Sequence, residues 1–395
     1  MSTLQSLLRN CASSSSRLAR IQRLSCSIRH NSSQATLPPG PTSEEWRCFN
    51  TVSANTKDRV SLRNPETAHI VAESFIDGKS ICAGDDKIII EAFPGPGILS
   101  RAFLELPKHK VRKLIILEDD EEFLKFLEPL AVADERVTVV PLSGYIWDTY
   151  AVLEQQGLLQ DVAIHPWEGG VHPNLHFVSH LPHNIKGEQL IAQFFRMIPE
   201  RLWLFKYGRV PMSLVLGEWI WDRTVATHGS VPRCKVSVIA EAVAQMQNSV
   251  RPSALKPYED HFFPPPRKIG IGAAKKPESR KRGEPYQAGN VLPYEQQIIQ
   301  KGELEKWDYL LRRLFVKKST PLKKAIPYLA PGAQSLIKPL TDPSLPPEQQ
   351  VDVTKLIRNL TIADWALIYR AFDEWPFSPD SLMISDYMNL STVRK

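Results

Sequence analysis

Three carbon-branched residues, Ile88-Ile89-Ile90, end in Glu91 and run through Ala92-Phe93-Pro94-Gly95-Pro96-Gly97 into a helical pattern over 99–106. Such a strand, turn and helix presents a backbone that a ligand can approach closely, because glycine has no Cβ and tolerates left-handed dihedrals. About twenty-seven residues on, a second β-rich run over 113–117 stops at Glu118. A carboxylate at that place can accept both hydroxyls of a ribose. The plainer reading has Glu118 capping the next helix and Gly95 and Gly97 serving only the turn. Further on, His165, His172, His176, His180 and His183 crowd one stretch. Their spacing fits no standard metal site and no cysteine or paired acid joins them, so no metal is expected. Ser179 beside His180 has no glycine elbow or triad pattern around it.

These residues need a scaffold, and the hydrophobic pattern supplies one. Helical segments are predicted over 65–75, 99–106, 121–130, 150–159 and 189–198. Strands are predicted over 87–90, 113–117, 137–140 and 175–178, with two more at 201–205 and 211–216. Strands alternating with helices imply βαβ units and a largely parallel sheet covered on both faces. Such sheets bind ligands at the carboxyl ends of their strands. The α/β domain is expected over 44–255, and the remainder, 256–395, as a basic linker, a helical domain and a tail. Seven Lys or Arg and one acid lie between Arg267 and Arg282. Leu304, Trp307, Leu311, Leu314 and Phe315 then mark one face of a helix, and further helices are expected over 334–337, 353–360 and 362–372. The stretch 376–395 reads as a tail.

Apolar residues make up 43% and charged residues 23% of the 395, which is enough to build a core. The net charge of +6 is a mild bias toward polyanions. No apolar run is long enough for a membrane span. The first forty-three residues hold no acid but five arginines (Arg9, Arg17, Arg20, Arg23, Arg29), with Leu4, Leu7, Leu8, Leu18, Ile21 and Leu24 at roughly helical spacing. That pattern is a mitochondrial transit peptide followed by a linker at Pro38–Pro41, the alternative being a basic tail. Five cysteines without metal spacing, two of them in this leader, read as reduced thiols.

Residues 91–100 resemble the first motif of the ribosomal RNA adenine dimethylases, a glutamate followed by alternating glycines. The likeness extends through 137–143, through Val178-Ser179-His180-Leu181-Pro182-His183-Asn184-Ile185 and to Phe262-Phe263-Pro264-Pro265-Pro266. It implies a Rossmann-like methyltransferase fold with a smaller helical C-terminal domain. It also implies S-adenosyl-L-methionine as cofactor, lying against Leu62, Glu91, Phe93, Gly95, Gly97, Glu118 and Ser143. The departures bear on activity. Phe93 replaces the leading glycine, and Ser143 replaces the acid expected at the adenine amino group. Leu62, near Arg59-Val60-Ser61, is what remains of an upstream motif. His180 stands for the catalytic Asn and His183 for the aromatic that stacks on the target base. Adenine N6 is a poor nucleophile until hydrogen bonds accepted from its amino group restore its electron density. A histidine can accept only one such bond, through one tautomer. No catalytic residue is therefore expected in the degenerate motif His180-Leu181-Pro182-His183.

The segments 143–150, 203–210 and 233–238 resemble fungal mitochondrial transcription factors descended from these methylases. That likeness implies a monomeric, non-membrane matrix protein that partners the single-subunit mitochondrial RNA polymerase and binds promoter DNA or RNA. Arg267, Lys268, Lys275, Lys276, Arg280, Lys281 and Arg282 are the candidate phosphate contacts. Arg312, Arg313, Lys317, Lys318, Lys323 and Lys324 form a second basic set, and Trp147, Tyr145 and Tyr207 are candidate stacking aromatics. Two other readings stay open: an active ribosomal RNA adenine dimethylase and a non-catalytic RNA-binding scaffold.

Overall fold

The computed structural model describes residues 36–52, 59–77, 80–266, 283–379 and 382. The leader at 1–35, the seven cations between Arg267 and Arg282 and most of the tail lie outside the described residues.

An N-terminal helix, α1 (Ser43–Val52), leads to a short strand β1 (Ser61–Leu62) and helix α2 (Pro65–Ile76). Asn64 starts α2 by accepting the backbone amides of Glu66 and Thr67, with Pro65 preset for the first turn. Then come β2 (Lys87–Ala92), α3 (Ile98–Glu105), β3 (Val111–Leu117), α4 (Glu121–Ala133), β4 (Val137–Val140), α5 (Trp147–Gln155), β5 (Leu175–His180), α6 (Ile185–Glu200) and β6 (Met212–Gly217). Strands β4, β3, β2, β5 and β6 lie side by side in that order, all parallel. The chain leaves β2 toward β3 and β4, then returns to the other side of β2 with β5. The crevice between the ends of β2 and β5 is therefore the switch point of the sheet.

Every residue of β2 is buried because helices cover both faces. Ile88 and Ile90 enter the core that holds α5, α6 and the C-terminal helices, while Ile89 enters the core beneath α1 to α4.

The far edge departs from expectation. After α7 (Glu218–Thr224) and α8 (Lys235–Val243), strand β7 (Ala244–Asn248) forms the edge of the sheet. Strand β9 (Tyr286–Pro293), inserted between β6 and β7, runs antiparallel to both. Neither carries the expected pattern, and β9 comes from the segment assigned to linker and helical domain. Its sequence YQAGNVLP looks like a loop because buried polar groups hold it. Asn290 Oδ1 accepts from the Ser213 hydroxyl at 2.6 Å, and its amide donates to Ser80 Oγ at 2.8 Å. Gly289 leaves room only for the face of Trp221.

The strand expected over 201–205 is instead a 3-10 turn, Trp203–Tyr207. Arg201 and Trp203 adopt left-handed φ values of 55° and 56°, which turns the Trp203 ring inward to stack on Phe194 at 5.0 Å. Only a short 3-10 turn, Ile357–Asn359, forms within the helix expected over 353–360.

The small strand β8 (Phe262–Phe263) pairs with β1, which joins the start of the fold to its middle. Helix α9 (Leu304–Phe315) buries Leu304, Trp307, Leu311 and Leu314, and Trp307 stacks on Tyr369 of helix α10 (Ile362–Asp373) at 5.1 Å. Asp308, 4% exposed, fastens α9 to the α/β body through Arg196 of α6 at 2.5 Å and Lys235 of α8 at 2.9 Å.

Candidate functional site

The turn after β2 alternates left-handed residues, with φ of 60° at Phe93, 62° at Gly95 and 79° at Gly97. Only glycine takes that conformation freely; for Phe93 it costs about 1–2 kcal/mol. A Cβ on Gly95 would strike the Ser61 hydroxyl, and one on Gly97 would meet Leu127 at 2.5 Å. Both glycines are thus required by the turn and by packing against the chain's own side chains. Glu91 is 1% exposed and takes the Ser100 hydroxyl on Oε2 at 2.6 Å, while Oε1 is buried with no partner among the described residues. Burial, only partly offset by that hydrogen bond, pushes its pKa up to about 7.

At the end of β3, Glu118 is held by Arg59. The Arg59 Nη1 donates to Oε1 at 3.1 Å and Nη2 to Oε2 at 2.6 Å, while the backbone amides of Asp119 and Asp120 donate to Oε1 at 3.1 Å each. The guanidinium lies 5.2 Å from the ring centres of both Phe93 and Phe123. Burial by itself lowers the Arg59 pKa, but the charge and hydrogen bonds of Glu118 outweigh it, so the guanidinium stays above its ordinary value. Across the crevice, Ser143 uses its hydroxyl to accept the Tyr145 amide at 3.4 Å and its carbonyl to accept the Thr149 hydroxyl at 2.8 Å. The residues present do not fit S-adenosylmethionine. The carboxylate that would take the ribose is already held by Arg59 and two amides, a benzyl group fills a glycine's place, and Ser143 stands where an acid would meet the adenine amino group.

At the end of β5, His180 is 4% exposed and its buried Nε2 has no partner among the described residues. Its ring lies edge-on to Tyr286 at 5.6 Å and Phe262 at 6.2 Å. Burial, helped by the charge of Arg59, drops its pKa to about 3, so it is neutral at physiological pH. His183, 6% exposed, packs on Tyr286 at 5.6 Å and on Trp219 at 6.4 Å. Between the two carboxylate-bearing strand ends and this aromatic cluster opens a cleft of about 340 Å³. It is lined by Arg59, Phe93, Asp119, Asp120, Ser143, Tyr145, Ile146, Pro182, Asn184 and Lys186. Lys186 stands 5.6 Å from the centre of the Tyr145 ring.

The sequence signature of ribosomal RNA adenine dimethylase matches residues 62–268, about half of the chain. The chain belongs to the ribosomal RNA adenine dimethylase family. It is also similar to mitochondrial transcription factor 1 of Saccharomyces cerevisiae, with 26% identity over 82% of this chain and 90% of that protein. Mitochondrial transcription factor 1 of Lachancea kluyveri is 25% identical over 76% of this chain and 84% of its own length. Among solved structures, a dimethyladenosine transferase from Plasmodium falciparum superposes with a TM-score of 0.49 at 15% identity, covering 79% of this chain and 97% of that one.

Within this family fold, the sequence-derived positions separate into two groups. Phe93, Ser143 and Pro182 reach the cleft, whereas Leu62, Glu91, Glu118, His180 and His183 are buried behind it. Of the candidate stacking aromatics, Tyr145 lines the cleft. Trp147 packs on Trp203 at 5.6 Å, and the Tyr207 hydroxyl donates to Glu154 at 3.0 Å. In the second basic set, Arg312 is paired with Asp308 at 2.9 Å, Arg313 and Lys317 cover the rings of Tyr309 and Tyr328, and Lys323 and Lys324 are exposed. Two other histidines find hydrogen-bond partners of structural kind: His172 accepts the Leu175 amide at 2.8 Å, and His176 meets Ser213 Oγ at 2.8 Å. Among the described residues, no three His, Cys, Asp or Glu side chains are grouped as a metal site would need.

Arg59 is the residue that sequence reasoning passed over. Its one signal was position, just upstream of the eroded motif at Leu62. The segment 233–238 has a structural role. Arg233, fully buried, donates to the Ala226 carbonyl at 2.7 Å and the Leu360 carbonyl at 3.4 Å and pairs with Glu241 at 2.7 Å, tying α8 to the C-terminal helices.

Proposed function

We propose that this protein is a mitochondrial transcription initiation factor that assists the single-subunit mitochondrial RNA polymerase in melting promoters, holding the opened strand in a cleft inherited from a base-flipping methylase. The observation that carries this reading is the filled base end. Where an everted adenine would be stacked and have its amino group accepted, His180 and His183 pack on Tyr286, and His180 is a neutral imidazole behind the cleft wall. The open part keeps what a single strand needs, an aromatic face at Tyr145 and a cation at Lys186. The names carried by its fungal relatives support the same reading.

The acid-free leader directs the chain to the matrix, residues 44–255 together with β8 and β9 form the methylase-like body, and the rest of 256–395 supplies the basic linker, helical domain and tail. Arg267, Lys268, Lys275, Lys276, Arg280, Lys281 and Arg282 contact phosphates, adding affinity that is independent of sequence and sensitive to salt. Transcription from a mitochondrial promoter, measured with the polymerase alone and with this protein added, tests the proposal. Specific initiation should depend on the protein. Equal initiation without it, or efficient dimethylation of a small-subunit ribosomal RNA hairpin, would return the chain to the modification enzymes. Reversing the charges of Lys275, Lys276, Lys281 and Arg282 should weaken nucleic-acid binding and flatten its salt dependence.

A further inference from the structure

We propose that the cofactor end of the cleft is closed by the chain's own N-terminal arm: the Arg59 guanidinium stands where the ribose diol of S-adenosylmethionine would bind, and the folded protein neither takes nor needs that cofactor. This goes beyond the strand-holding role and does not depend on it, since a promoter-melting factor could still carry the cofactor.

An ionised carboxylate offers about four lone-pair sites. Four donors already hold Glu118, two from Arg59 and the amides of Asp119 and Asp120; three of them crowd Oε1 and one takes Oε2, which leaves a single position where a diol needs two. A diol could bind only by expelling Arg59, whose side chain is 10% exposed and would be left without its counter-ion. The fork is also gripped from both flanks by Phe93 and Phe123. Phe93 keeps a left-handed backbone that disfavours any side chain, and such a residue persists only where its surroundings determine it. Here the surrounding is the guanidinium on its ring.

The arm that delivers Arg59 is anchored independently. Buried Arg101 donates to the carbonyls of Pro38 and Pro39 at 2.8 and 3.0 Å and, from the same guanidinium, to those of Pro96 and Gly97 in the turn at 2.8 Å each. In α1, Trp46 packs on Phe263 at 5.1 Å and Phe49 on Phe123 at 5.2 Å. Two arginines thus clasp the arm over the turn, one through carbonyls and one through the former ribose acceptor.

The full chain is titrated with S-adenosylmethionine, and separately with S-adenosylhomocysteine, by calorimetry and by thermal unfolding. No saturable heat and an unmoved midpoint are expected. Saturable binding with a raised midpoint would overturn the closed end while leaving the promoter assay untouched. Arg59→Ala should lower the midpoint and speed amide exchange over 43–52. Arg59→Lys, which keeps the charge but not the fork, should recover only part of that loss. Adding Glu118→Ala to Arg59→Ala should lower the midpoint less than Glu118→Ala does in the natural chain; additive losses would mean that the two side chains do not form a clasp. If Arg59→Ala does not fold, the titration of the natural chain and the Arg59→Lys midpoint still decide.

Discussion

Glu91 and Glu118 lie at the carboxyl ends of neighbouring parallel strands, both 1% exposed, and burial pushes both carboxyls above their ordinary value, but their surroundings offset it differently. Glu118 receives a guanidinium fork and two backbone amides, whose charge and hydrogen bonds pull against the upward push of burial. Glu91 receives one hydroxyl and keeps an orphan oxygen, so burial drives it toward the protonated form, with the nearby charge of Glu118 adding to the shift. The pair contrasts two environments for a buried carboxyl at one end of a sheet. Where a charged partner from the same chain moves in, a polar acceptor becomes a structural ion pair. Where none does, the carboxyl answers by neutralising.

Changing each acid to its amide tests this contrast most strongly. Glu118→Gln should destabilise the fold by roughly 3–5 kcal/mol, because it leaves the Arg59 charge buried without its counter-charge. Chemical denaturation at neutral pH measures it, and a loss below about 1 kcal/mol would show the pair to be solvated. Glu91→Gln should act the other way. The unfolded chain ionises near the usual value of 4.5 and the folded one near 7, so the unfolded state sheds its proton first. Native stability should fall as pH rises between those values and stay lower above them. Glu91→Gln should remove that slope and stabilise the protein by about 3 kcal/mol above pH 7 relative to wild type. An unchanged pH profile would place the Glu91 carboxyl in water. The smallest effect is at Phe93. Alanine and glycine both remove the ring, but only glycine relieves the left-handed backbone. Phe93→Gly should therefore be more stable than Phe93→Ala by about 1 kcal/mol, read from their denaturation midpoints.

Much of the fold was legible because its signals are local. Strands β2 and β6 show as largely apolar runs buried on both faces, and α9 shows its core stripe at Leu304, Trp307, Leu311 and Leu314. The turn was legible through Gly95 and Gly97, and even the anomaly at Phe93 was visible as a side chain in a glycine's place. Strand β9 was not, because Gln287, Gly289 and Asn290 become strand residues only through the polar groups and the Trp221 face they meet across the sheet. The 3-10 turn at Trp203 was hidden for a similar reason: its apolar run suits a strand, and the waiting cluster of Phe177, Phe194 and Tyr150 decides otherwise.

By itself the chain's sequence determined the alternating α/β architecture, the turn at the switch point and the family to which the fold belongs, since periodicity and turn chemistry are properties of neighbours in the chain. Only the tertiary structure decided what occupies the old pocket. Arg59 and Glu118 stand 59 residues apart, and His180 and Tyr286 more than a hundred. Whether a buried carboxylate meets a guanidinium or an orphaned space depends on which distant side chains the packed sheet brings to it, and Coulomb attraction and desolvation act on that distance in space.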